Sequence, residues 1–251
     1  MTACATYQKS MYDHLGFFAM WLPGDRVELG DIGVLNRGRF HKENSLEELG
    51  VKKVAGPPGI PRVVSYHALS SSNVSAHGEG GLAAAGRGLL SVSFSAAGGF
   101  MFHAIGLRDR RLEERQTLNT EVVRMHKAGL WRNRNWLLID GVYTADSATV
   151  LVSEEEAGTI VLEASADSLA MQPLQLGDAK AGLSVKSESG SIIKVLGGRS
   201  VNLLYTCMRL KTSFWTDASL VRGGADDSEH APMAGGGDDP FISASIAELL
   251  G

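Results

Sequence analysis

The sequence predicts a sheet-rich protein with few helices, and three observations carry that reading. Apolar residues alternate with serine from Leu90 to Ala96, and Phe100 and Phe102 continue the alternation beyond Ala97-Gly98-Gly99. Side chains of a strand point to opposite faces with period two, so one face here is oily and the other wet. The 30 glycines, clustered at 78–88, 197–198 and 223–237, favour turns and bulges. Only one long segment, Arg108 to Lys127, sets apolar residues at helical spacing, with Leu118, Val122 and Met125 on one face and Gly129 at its end. A second alternation places Ala179, Ala181, Leu183 and Val185 between Lys180, Gly182, Ser184 and Lys186. Such strands suit a sheet with one face on a core, and equally a β-barrel wall with one face on lipid.

In chain order, residues 7–15 predict a short helix, 16–22 a strand and Pro23-Gly24-Asp25 a turn. Residues 27–40 read as strand and turn, broken at Gly30, Gly33 and Gly38. Ser45-Leu46-Glu47-Glu48 has the spacing of a capping box, and Gly50 stops the single turn it would start. Gly56-Pro57-Pro58-Gly59-Ile60-Pro61 predicts a loop, and Val63 to Ile105 long strands. A meander is expected at 136–139, 149–152 and 159–162, then strands at 181–187, 191–196 and 201–211. Ser189-Gly190 and Gly197-Gly198 read as hairpin turns between the last three.

The chain ends in a Gly- and Asp-rich stretch, 217–240, which predicts a flexible acidic linker. Beyond it Phe241, Ile242, Ile246, Leu249 and Leu250 have the spacing of a small amphipathic helix, expected to dock on the body. Residues 217–251 hold seven acids against one base, Arg222, a net of −6 within a chain of −4, which leaves +2 for residues 1–216. Loss of that tail would leave a body better matched to anionic lipid.

Length and composition fit one large domain, or one domain with appendages. The two cysteines, Cys4 and Cys207, belong to no metal-binding or redox spacing, so a reducing compartment is the simpler expectation. Cys4 precedes every predicted element, where burial is not expected, and Cys207 lies in an apolar strand pattern. The oily run 15–22 is too short to span a bilayer and lacks a cleavage site, and Thr2 excludes N-myristoylation. A cytoplasmic protein is expected.

The chain carries no compact catalytic motif. His67, His77 and His103 have no metal-ligand spacing, and there is no G-x-S-x-G elbow. Gly78-Glu79-Gly80-Gly81-Leu82-Ala83 matches G-x-G-x-x-A without the buried strand and helix a dinucleotide site needs. The Trp131 to Trp136 stretch, with Arg132 and Arg134, could stack single-stranded nucleic acid, but the net acidic chain lacks further basic clusters. No catalytic residue, metal, cofactor or nucleic-acid partner is expected.

The order of elements resembles the bacterial gasdermins, small pore-forming proteins. The resemblance rests on Cys4 near the start, on Tyr12-Asp13-His14-Leu15-Gly16-Phe17-Phe18 and Leu22-Pro23, on Trp136-Leu137-Leu138-Ile139 through Val152, and on Leu203 to Leu210. It covers residues 4–212 and implies an α+β fold, gasdermin N-terminal-domain-like, with a twisted, mainly antiparallel central sheet and a few peripheral helices. It divides the chain into a pore-forming domain (1–216), a linker (217–240) and an inhibitory segment (241–251). It implies a cytoplasmic monomer that becomes a large homo-oligomer in the inner (plasma) membrane after an activating protease removes the tail, acting in cell death and antiviral defence. Cys4 would carry a palmitate, making the protein a lipoprotein. Leu90, Val92, Phe94, Phe100, Phe102, Leu183 and Val185 would face lipid, in hairpins spanning 75–105 and 160–195. Phe241, Ile242, Ile246, Leu249 and Leu250 would form the inhibitory contact, and a trypsin-like protease could cut after Arg222. The residues themselves leave two alternatives: a soluble β-rich binding module with a disordered tail, and an enzyme with a dispersed site around His67, His77 and His103.

Overall fold

Thr2 caps the first helix by accepting from the Ala5 N–H at 3.3 Å, so α1 spans Ala3–Leu15 and starts four residues before the predicted position. It ends at Gly16, whose φ of 71° lets its N–H reach the Tyr12 carbonyl at 2.8 Å. The computed structural model describes residues 2–21, 26–36, 38–67, 72–77, 87–133, 135–165, 184–197, 200–211 and 219–223. Cys4, Tyr7, Gln8, Met11 and Tyr12 form the buried face of α1. The Gln8 amide fastens this face: its Nε2 donates to the carbonyls of Ala19 and Gly38, and its Oε1 accepts from the Ala19 N–H at 3.0 Å.

Among the described residues there are fourteen strands. The first seven are β1 (Phe18–Ala19), β2 (Asp31–Asn36), β3 (Arg39–Ser45), β4 (Arg62–His67), β5 (Ser72–His77), β6 (Arg87–Phe94) and β7 (Phe100–Arg111). A second helix, α2, spans Arg115–Lys127. Then follow β8 (Leu137–Ala145), β9 (Ser147–Ser153), β10 (Thr159–Ser165), β11 (Ser184–Ser189), β12 (Ile192–Gly197), β13 (Val201–Lys211) and β14 (Ser219–Gly223). The fold is α+β and every strand pairing is antiparallel.

Several expectations are met and several corrected. Leu118, Val122 and Met125 are the buried face of α2, but the helix starts at Arg115 because β7 runs on to Arg111 in its pairing with β8. The predicted strand at 16–22 is only Phe18–Ala19. Half of the capping box is present: Ser45 Oγ accepts from the Glu48 N–H at 3.2 Å, but the Glu48 carboxylate accepts from the Ser45 hydroxyl at 3.0 Å, and the Ser45 N–H donates to Asn44 Oδ1. Ser189-Gly190 and Gly197-Gly198 do not turn hairpins: β11 pairs with β10, β12 with β9 and β13 with β8. Local turn residues are the same in both cases; the choice of partner strand is tertiary. The predicted linker 217–240 includes a strand, since β14 adds to β13 with Leu220 opposite Leu210.

Ten strands form one sheet, with β1-β13-β8-β7-β9-β12 as its path, and β5, β6, β10 and β11 form a second in the order β11-β10-β6-β5. Below these, α2, β2, β8 and β13 enclose an apolar cluster that includes Ile32, Leu118, Val122, Met125, Leu138 and Tyr205. α1 packs on one face of β7 and β9, where Tyr7 and Met11 meet Phe100, Phe102, Val150 and Val152. The four-stranded sheet covers the opposite face, so that Leu90, Val92, Phe94, Ile160 and Leu162 share a core with Met101, Leu151 and Ile192.

Candidate functional site

Pairing resolves the two sheets into two ribbons, each built in two tiers. In the first, β4 pairs with β7 and the chain then passes into β5 paired with β6. In the second, β9 pairs with β12 and passes into β10 paired with β11. The ribbons lie side by side in both tiers, through β7 with β9 below and β6 with β10 above. Three of the segments that change tier, between β6 and β7, β9 and β10, and β11 and β12, are described, and there the ribbons bend.

Left-handed residues make the bend. Gly98 (φ 83°), Ala157 (φ 63°) and Gly190 (φ 82°) each interrupt one of the segments that cross it. A strand needs φ near −140° in an antiparallel sheet, so none of the three can continue its strand in this conformation. For Ala157 the conformation costs about 1–2 kcal/mol. The bends are bonded to one another: Gly98 N–H donates to Ser153 O at 2.7 Å, Ser153 N–H to Gly99 O at 2.9 Å, and Phe94 N–H to Gly158 O at 2.7 Å.

Above the bend the upper tier has two unlike faces. Val74, Val92 and Ile160 stand opposite one another, as do Leu90, Leu162 and Val185 in the next inward-facing row. The alternate rows carry Asn73, Ser93, Thr159 and Ser189, then Ser75, Ser91, Val161 and Ser187. Leu90, Val92, Phe94, Ile160 and Leu162 are all almost completely buried. At about 1.5–3 kcal/mol for each fully buried side chain, their seal is worth on the order of 10 kcal/mol before ordering costs. Glu188 is the departure on the oily face; it lies close to the bend and pairs with Lys194 of β12.

The predicted lipid-facing residues therefore divide. Leu90, Val92 and Phe94 belong to the upper tier, and in this state they are core. Phe100 and Phe102 are lower-tier residues beneath α1, with the Phe100 ring 5.0 Å edge-on from Tyr7. Val185 is on the edge strand and is 38% exposed. Leu183, Phe241, Ile242, Ile246, Leu249 and Leu250 lie outside the described residues. Ile160 and Leu162 join the oily face without having been singled out; their alternation with Thr159, Val161 and Glu163 was the available signal.

Cys4 corrects an expectation, because Thr2 starts the helix early and so brings the thiol into structure. It is 7% exposed and lies over Gly38, where a Cβ would come within 2.8 Å of its Sγ. Burial pushes the thiol up to about 12, partly opposed by the nearby Arg39 guanidinium. Beside it Arg39, His41, Trp21 and Glu154 line an open groove of about 590 Å³. Burial also raises the Tyr7 hydroxyl well above its ordinary value. Arg222, expected on an open tether, sits in β14 opposite Met208. Cys207 is buried in β13.

The histidines do not converge on a site in what is described. His103 is buried in β7 with Ser65 Oγ 2.5 Å from its Nδ1, and the side chains of His67 and His77 lie outside the described residues. Among the described residues no group of three His, Cys, Asp or Glu side chains is placed to hold a metal. No helix there is long and apolar enough to cross a membrane.

The chain is similar to solved gasdermins. A bacterial gasdermin from Bradyrhizobium tropiciagri aligns at 11% identity and a TM-score of 0.38, over 97% of this chain and 96% of that one. The gasdermin A3 membrane pore aligns at 8% identity and a TM-score of 0.35, over 88% and 94%. No family model matches the sequence, and no curated protein does.

Proposed function

We propose that this chain is a pore-forming protein held latent by its own fold, whose two ribbons straighten at the bend and enter a membrane as β-hairpins. One observation carries the reading: the upper tier has an oily face and a serine-rich face, and three of the segments that join it to the body bend at left-handed residues. That pattern is the one a barrel wall requires, apolar toward lipid and polar toward the lumen. A membrane strand needs roughly 9–11 residues. Residues 87–99, β6 with its bend, and 154–165, the second bend with β10, would supply that length once straight.

The energetics support a transfer between two oily environments. A seal on the order of 10 kcal/mol is comparable to the whole net stability of a domain, so opening into water is unfavourable. Lipid is as apolar as the core, so the same side chains regain most of that burial in a bilayer. Backbone groups there must all be paired, which two hairpins alone cannot achieve and a closed ring of them can. The active form is therefore a large homo-oligomer and the latent form a monomer. Phe100 and Phe102 stay with the body under α1, and the lipid-facing set is Leu90, Val92, Phe94, Ile160, Leu162 and Val185.

The tail sets the timing. Residues 217–251 carry seven acids against one base, a net of −6 that outweighs the +2 of the body, and β14 covers one edge of β13. Removal of the tail by a protease would free that edge and favour anionic membranes. Acylation of Cys4 would add a membrane anchor, marginal as a single chain. The biological role that fits is cell death in defence, starting from the cytoplasm and ending at the inner membrane.

The test is dye release from anionic liposomes by the full chain and by a form ending at Thr216. The reading predicts release by the truncated form alone. A truncated form that remains folded and releases nothing favours the alternative, a soluble β-rich binding module.

A further inference from the structure

The first turn of α1 lies on the bend. A Cβ at Gly98 would come within 2.5 Å of Thr6 Cβ and 3.1 Å of the Ala3 carbonyl, so the helix leaves no room there for even a methyl group. Gly98 is the residue whose N–H holds Ser153 of the second ribbon, and Ser153 is followed by Glu154, which lines the groove beside Thr2, Ala3 and Cys4. One helical turn thus lies against the first ribbon and across an open groove from the second, where they change tier. Within the second ribbon the two bends are equally close, since a Cβ at Gly190 would meet Gly158 Cα at 3.1 Å.

We infer that the turn Thr2–Thr6 is a clamp on the bend, and that it must lift before either ribbon can straighten. To become strand, Gly98 must swing from φ 83° to a negative value, which moves its peptide planes against Thr6 and Ala3. The hydrogen bonds from Gly98 to Ser153 and from Ser153 to Gly99 pass the movement from one ribbon to the other. The clamp is built to let go. The first turn of α1 contains no acidic residue to complement its dipole, and its cap is a single bond of 3.3 Å. From Tyr7 onward the helix is held by the core, so lifting one turn does not require the helix to leave.

This inference rests on the straightening proposed above, but its test can be read without a pore. Cys4 is in the clamp turn and is a built-in reporter: its thiol reacts as the thiolate, and burial keeps that form rare. Exposure returns the thiol toward its ordinary value and opens it to the reagent, so both changes speed labelling. The full-length Cys207→Ser chain, with Cys4 as its only thiol, is labelled with a maleimide in solution. Gly98→Ala drives a methyl into Thr6, at a φ that L side chains rarely adopt, and is expected to speed labelling at least tenfold. Thr6→Gly alone, which loosens the clamp without touching the bend, serves if Gly98→Ala fails to fold, and is expected to speed labelling. Labelling of both single variants at the parent rate overturns the clamp. On anionic liposomes after tail removal, Cys4 is expected to become reactive no later than dye escapes. Dye release with Cys4 still protected overturns the inference but leaves the pore reading standing, whereas fast labelling without release at any stage sinks the pore reading alone.

Discussion

Leu162 separates a side chain that seals a core from one that also faces lipid. It is fully buried in β10, opposite Leu90 and Val185, against Met101 and Leu151. Leu162→Ala removes three carbons, about 2.4 kcal/mol of transfer free energy at about 0.8 kcal/mol per CH₂. The rigid surroundings add a cavity cost, bringing the total to about 3–5 kcal/mol. Opening of the upper tier into water should then become about a hundred- to several-thousandfold more frequent, at about 1.4 kcal/mol per factor of ten. Hydrogen exchange at the β6 and β10 amides of the latent chain reads this directly. In a bilayer the outcome differs, because lipid flows into the space and only the transfer term is lost. The cavity part, about 0.5–2.5 kcal/mol, therefore shifts the balance toward insertion. Tail-free Leu162→Ala should release dye at least as readily as its parent, despite its weaker fold. Unchanged exchange in β6 and β10 would refute the seal. Dye release that falls in step with the lost stability would refute the claim that Leu162 leaves the core.

The other predictions use what the structure exposes. Val185→Lys should fold and melt like the parent, since the position is partly exposed, yet fail to release dye, because a lysine near the bilayer midplane costs about 2–4 kcal/mol in every subunit. A chain ending at Gly223 keeps β14 on β13, and should release dye more slowly than one ending at Thr216. Trypsin should cut after Arg222 more slowly than in a Leu220→Pro variant, in which a ladder hydrogen bond is lost and the strand frays. Cys4→Ala should keep the fold and lower membrane activity, and intact mass from the native host should carry an added acyl chain; unmodified mass with full activity would remove the idea.

How much of this was legible in the sequence depends on the range of the interaction. The alternation at Leu90, Val92 and Phe94 and the α2 face at Leu118, Val122 and Met125 were readable because both follow from local periodicity. Whether the oily strand faces meet protein or lipid was not readable, because the period is the same in either solvent. Nor was the two-tier pairing. Ser189-Gly190 has hairpin residues but serves as a bend, because the partners of β11 and β12 in β10 and β9 are more than 20 residues away. Cys4 was misplaced for a local reason, the weight of the Thr2 cap, and β14 because five residues of strand are invisible inside a Gly- and Asp-rich stretch.

The central claim, that the upper tier leaves the body for the membrane, is tested most directly by an environment-sensitive dye placed singly at positions 184 to 188 of β11. All five are exposed in the latent state, so substitution there spares the fold. After tail removal on anionic liposomes, the account predicts that lipid-borne quenchers reach position 185 and spare 187, as the register of Val185 with Leu162 and of Ser187 with Val161 requires. Equal quenching at 185 and 187, or none at either while dye is escaping, would contradict it.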